Sequence, residues 1–81
     1  MGPLLIIDDD KDLVQILSEG FAENGFSVDS AFSGEEGLEK ISSRPFGCLI
    51  LGDSLPGMDG FQALDEIRSK GNGTPVIIIS E

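Results

Sequence analysis

The sequence predicts an α/β fold, a parallel sheet with helices on both faces, built in the order β-α-β-α-β-α-β as one domain over residues 1–81. Three observations predict it. Leu4-Leu5-Ile6-Ile7, Cys48-Leu49-Ile50-Leu51 and Val76-Ile77-Ile78-Ile79 are short, continuous apolar runs, the pattern of strands buried on both faces. Stretches with apolar residues at helical spacing separate these runs. Strands that alternate with helices imply right-handed crossovers and a parallel sheet.

The first strand is Leu4 to Ile7, and Asp8-Asp9-Asp10 ends it. Asp10 is placed to cap a helix from Lys11 to Asn24 that carries Leu13, Val14, Leu17 and Phe21 on one face. Gly25 suits the position just past that helix. Phe26 to Ala31 alternates apolar and polar and reads as a half-buried strand. Ser33-Gly34-Glu35-Glu36 has the form of a capping box, opening a helix with Leu38 and Ile41 on its apolar stripe. Arg44-Pro45 stops it, because the residue before proline avoids the helical region. Cys48 to Leu51 is the third strand, and Leu55-Pro56-Gly57-Met58 is a turn. Asp59 caps a third helix carrying Phe61, Leu64 and Ile67 and ending near Gly71. Asn72 to Pro75 is a loop that leads into Val76 to Ile79, the most apolar strand.

Composition narrows the function. A formal net charge of -10 argues against direct contact with nucleic acid or an anionic membrane. The apolar run at Leu4 is far too short to span a bilayer, and no signal-peptide pattern precedes it. The absence of histidine removes the commonest general base and zinc ligand. Cys48 is the only cysteine and lies in an apolar run, as expected of a buried, inert thiol. A cytoplasmic setting fits best.

In an open parallel sheet, ligands bind beyond the carboxyl ends of the strands, where strand order reverses. Three segments reach that edge: Asp8-Asp9-Asp10, Gly52-Asp53-Ser54 and Ser80. Carboxylates gathered there repel one another by about 3 kcal/mol for two charges about 5 Å apart at an effective dielectric near 20. A hard cation relieves this, and oxygen donors suit Mg²⁺. Capping of the first helix accounts for one of the three aspartates and leaves two over.

These segments resemble the receiver domain of bacterial two-component response regulators. Ile6-Ile7-Asp8-Asp9-Asp10 is similar to the acidic pair that closes the family's first strand. Leu55-Pro56-Gly57-Met58-Asp59-Gly60 resembles the loop after its phosphoacceptor strand, and Pro75 to Ser80 resembles its fourth strand. The resemblance implies a flavodoxin-like fold, with Asp9 as direct ligand of Mg²⁺ and Asp8 as its partner. It implies Ser54 as donor of a backbone carbonyl to the same ion, and Ser80 as the switch hydroxyl. A sensor histidine kinase or phosphotransfer protein is the implied partner.

Two departures qualify it. The family's phosphoacceptor aspartate lies four residues before the loop proline, and counting back from Pro56 gives Gly52. The acceptor is therefore absent. Asp53 stands one residue too late, and strand alternation should point it away from Asp9. It remains a minor candidate for a substitute acceptor. The second departure is that the family's fifth strand, with its lysine, and its last two helices have no counterpart, so the fold is expected to be incomplete. That leaves the fourth strand as an apolar edge suited to self-association. The reading is a signalling module, not an enzyme, that is not phosphorylated as it stands and binds Mg²⁺ weakly if at all. The alternatives are a phosphate-independent interaction domain and, far behind, an aspartate-nucleophile phosphohydrolase. Asp8-Asp9-Asp10 meets only that enzyme class's minimal signature. A dinucleotide-binding fold lacks its glycine-rich loop here.

Overall fold

A computed structural model describes residues 2–80. It contains β1 (Leu4–Ile7), α1 (Lys11–Glu23), β2 (Val28–Ala31), α2 (Gly34–Ser43), β3 (Cys48–Gly52), α3 (Gly60–Ser69) and β4 (Val76–Ile79). The four strands form one parallel sheet in the order β2-β1-β3-β4. The chain leaves β1 for β2 on one side, then crosses back over β1 to reach β3. That reversal puts α1 on one face and α2 and α3 on the other.

Two apolar layers follow from the pleat of β1 and β3. Leu5, Ile7, Leu49 and Leu51 face α2 and α3, where Ala63 and Ile67 complete a buried cluster. Ile6 and Ile50 face α1 and meet Val14, with Leu17 and Phe21 packed at the margin. Apart from Cys48 at the start of β3, the side chains of both central strands are therefore buried on both faces, as their unbroken apolar runs require.

Three expected elements shift. The second strand begins at Val28, not Phe26. Gly25 has φ +88° and closes α1: its N–H bonds to Ala22 O at 3.0 Å, and the Phe26 N–H bonds to Phe21 O at 3.1 Å. This pair of bonds is a Schellman closure, which uses up the Phe26 donor before the sheet can. The Phe26 ring stands edge-on to Phe21 with centroids 5.9 Å apart, the apolar contact that accompanies such closures. Gly71, with φ +79°, ends α3 in the same way through Arg68 and Ile67. Phe61 is not on the buried face of α3; it is 60% exposed, and Gly60, Ala63 and Ile67 face the sheet instead. Cys48 is half-exposed, not buried, because it opens β3 on the face where α1 gives only partial cover.

The caps hold with one change. Asp10 Oδ1 accepts from the Leu13 N–H at 3.1 Å. Ser33 Oγ accepts from the Glu36 N–H, but the Glu36 carboxylate reaches back to the Phe32 N–H at 2.8 Å, one residue before the expected Ser33. Asp59 is the expected cap of α3, and with Gln62 it forms the complete reciprocal box.

Gly20 lies exposed inside α1 with open space where a side chain would stand. Gly20→Ala is expected to stabilise the chain by about 0.5–1 kcal/mol, because alanine loses less backbone freedom on folding into a helix. A higher urea midpoint at unchanged slope would show this.

Asp29 on β2 ties down the end of α2. Its carboxylate accepts from Lys40 Nζ at 3.1 Å and from the Arg44 guanidinium, and Lys40 also donates to Ser30 O. Burial opposes ionisation of Asp29, but the Ser30 N–H, Lys40 and Arg44 outweigh it and hold the carboxyl below its ordinary 3.8. A depressed folded-state pKa contributes stability that is present above the unfolded value and lost as pH falls through the folded one. The protein should therefore lose about 0.5–1 kcal/mol relative to Asp29→Asn on acidification below about pH 4. Parallel acid titrations of the two chains would reveal a flat difference if Asp29 makes no such contribution.

Candidate functional site

The carboxyl ends of β1 and β3 lie side by side at the point where strand order reverses. A pocket of about 390 Å³ opens there, lined by Asp8, Asp9, Asp53 and Ser54. Its lining is mostly polar because these residues lie where the apolar strands give way to loops.

Asp8 continues the sheet: its N–H bonds to Ala31 O at 3.1 Å. It is only 5% exposed, the one buried charged side chain among the described residues. Its Oδ1 accepts from the Asp10 N–H at 2.9 Å, an Asx turn that directs the chain into α1. Asp9 is exposed, and Asp10 is spent on the helix cap.

Gly52 is the last residue of β3 and is buried. A Cβ on this residue would lie 2.5 Å from Asp8 Oδ2 and 3.0 Å from Asp8 Cγ. The carboxylate of Asp8 therefore fills the space that a side chain at position 52 would enter. Position 52 itself offers no nucleophile.

Asp53 departs from the sequence expectation. It lines the same pocket as Asp8 and Asp9 instead of turning away from them. The alternation argument fails because β3 ends at Gly52, so Asp53 no longer follows the pleat. Its backbone is fixed by two bonds, from its N–H to Ile79 O and from the Gly60 N–H to its carbonyl, both 3.0 Å. Its Oδ2 accepts from Ser80 Oγ at 2.9 Å. Ser80 thus reaches the site through Asp53. Ser54 lies exposed on the pocket wall.

Gly60 sets the close approach of α3. A Cβ there would stand 2.2 Å from Gly52 O and 2.9 Å from Asp53 Cα, so only glycine lets the first turn of α3 rest on the end of β3. Gly60 closes the Leu55 to Gly60 run that resembles a family loop, and the run itself carries no sign of this contact.

The donors present are carboxylate, hydroxyl and carbonyl oxygens, which suit a hard cation such as Mg²⁺ and not a soft one. Among the described residues, no three acidic, histidine or cysteine side chains converge closely enough to make a ready-made metal cluster. Asp8 and Asp9 adjoin one pocket, and the third carboxylate, Asp53, is engaged with Ser80. No described helix is long and apolar enough to cross a membrane.

Residues 4–81 match the response regulator receiver domain family. The transcriptional regulatory protein QseB of Escherichia coli O157:H7 is 40% identical over 77 residues, which is 95% of this chain and 35% of QseB. The receiver domain of the Francisella response regulator 1452 superposes with a TM-score of 0.95 at 34% identity, covering 99% of this chain and 66% of that one. The Thermotoga maritima response regulator TrrA, solved in complex with Mg²⁺–BeF, superposes at 0.92 with 32% identity, covering 99% and 70%. The chain thus spans about a third of the length of the curated relatives it matches. With the strand order, the flavodoxin-like layering and the acidic edge in agreement, the chain belongs to the response regulator receiver domain family.

Proposed function

We propose that the chain, a partial receiver domain over residues 1–81, is a response-regulator module that carries no phosphoacceptor at position 52 and acts through protein contacts that do not depend on phosphate. The observation that carries this reading is the space beside β3: position 52 is glycine, and Asp8 Oδ2 stands 2.5 Å from where its Cβ would be. Asp53 lies at the pocket, but its carboxylate is engaged by Ser80. The module is a non-catalytic signalling element of the cytoplasm, and its partner is a sensor histidine kinase or phosphotransfer protein.

Mg²⁺ would be held by Asp9 and Asp8 with the Ser54 carbonyl, and held weakly. One carboxylate fewer lowers affinity for a hard cation. That ion would supply charge neutralisation at the pocket. Melting curves with and without Mg²⁺ should then nearly coincide.

Self-association through β4 is part of the proposal. β4 is the outer strand of the described sheet, and its side chains are at most half-buried.

The test of the central claim is covalent. After incubation with Mg²⁺ and acetyl phosphate, intact-mass spectrometry should show the unmodified chain alone. A phosphoryl adduct on any aspartate would overturn the reading, and one mapped to Asp53 would make that residue the acceptor. Turnover of a generic phosphomonoester would instead favour a phosphohydrolase.

A further inference from the structure

We propose that Asp53 and Ser80 form a latch that fixes the carboxyl end of β4 to the loop between β3 and α3 without covalent modification. The inference rests on the phosphate-independent reading and supplies its conformational device.

Asp53 is the junction of three elements. Its N–H bonds to Ile79 O at the end of β4, and its carbonyl accepts the Gly60 N–H at the start of α3, each at 3.0 Å. The second bond joins the two ends of the loop, so residues 54–59 form a closed excursion pinned at its base. These two bonds involve backbone alone and would form with any side chain at position 53. The third bond depends on the side chain: Ser80 Oγ donates to Asp53 Oδ2 at 2.9 Å. It is the one side-chain bond that ties β4 to this junction among the described residues.

The consequence is positional. Gly60 packs against the end of β3 so closely that a Cβ would stand 2.2 Å from Gly52 O. The end of β3, the start of α3 and the base of the loop therefore move together. A hydroxyl held by Asp53 brings the end of β4 into the same unit. A charge-assisted bond is stronger than a neutral one, although exposure to water weakens it here. With the Ser80 hydroxyl committed to a carboxylate of its own chain, the position of β4 is set by the sequence and not by a modification of the pocket.

Amide hydrogen exchange on the whole chain tests the latch. Asp53→Ala and Ser80→Ala should each speed exchange of the Gly60 amide by about two- to fivefold, the range of an exposed charged pair. The double variant should be no faster than either single one. Asp53→Asn should retain protection, because the amide oxygen can still accept from Ser80. The Leu4 amide, bonded to Ser27 O at the opposite end of the sheet, should be unchanged and serves as control. Equal exchange in parent and single variants, or effects that multiply in the double variant, would overturn the latch. Such a result in a chain that takes no phosphoryl group would count against the latch alone. A phosphoryl adduct would count against the wider reading alone.

Discussion

Gly60→Ala is expected to destabilise the chain by about 2–3 kcal/mol, in a molecule whose total stability should be about 4–12 kcal/mol. The added methyl would meet Gly52 O at 2.2 Å and Asp53 Cα at 2.9 Å, both backbone atoms that no rotamer change can move. Helix propensity pulls the other way, since alanine is better than glycine by up to about 1 kcal/mol in a helix interior. At the first position of α3 that benefit is smaller, and the clash wins. Relief requires the first turn of α3 to lift from β3, which would also break the Asp53–Gly60 bond. Urea unfolding should show a lowered midpoint with little change in slope. Gly73→Ala, where the same methyl would meet open space, should stay within about 0.5 kcal/mol of the parent. Equal stability of the two variants would show that the approach of α3 is looser than described.

The second large effect concerns association. At high micromolar concentration the 81-residue chain should form a twofold dimer, and Ile77→Lys should weaken it by about a hundredfold. Pro75 and Ile79 direct their carbonyls toward β3, so the N–H and C=O groups of Val76 and Ile78 point outward. Ile77 is 55% exposed, beside an apolar groove lined by Leu4, Phe21, Phe26, Cys48 and Ile50. Residues 71–80 carry no charge in a chain of net charge -10, so this edge is where a second copy meets least repulsion. Burying an isoleucine is worth about 1.5–3 kcal/mol, and twofold symmetry counts the change twice; part of this is lost to ordering. Lysine also blunts strand edges. The substitution lowers the overall negative charge, which by itself favours association, so a weaker dimer would point to the edge. Light scattering across a concentration series gives the answer. A monomer at every concentration would remove β4 as an interface.

Most of the fold was legible because the central strands are buried on both sides. Leu4 to Ile7 and Cys48 to Leu51 leave no polar position by which a strand could be mistaken for a surface helix. The errors fall where local bonding overrides pattern. Phe26 alternates correctly for a strand, but its N–H is claimed by the closure of α1. Phe61 is apolar and at plausible spacing, but the tight seating of Gly60 rotates α3 so that Ala63 and Ile67 face inward. In the site, Asp8, Asp9 and Ser54 were placed at the sheet edge from sequence, and the structure sets all three around one pocket. Asp53 was misdirected because alternation holds only while the strand lasts, and one residue decides that. The carboxylate of Asp8 over Gly52 could not have been read, since it depends on a rotamer free to turn either way.

That rotamer also bears on what a new side chain at position 52 would meet. A carboxylate introduced at position 52 would enter a volume already held by Asp8. Rotation of Asp8 removes the steric overlap but gives up the bond from the Asp10 N–H and leaves two like charges together, at about 3 kcal/mol for a separation near 5 Å. Gly52→Asp is therefore uphill in a small protein with little stability to spare.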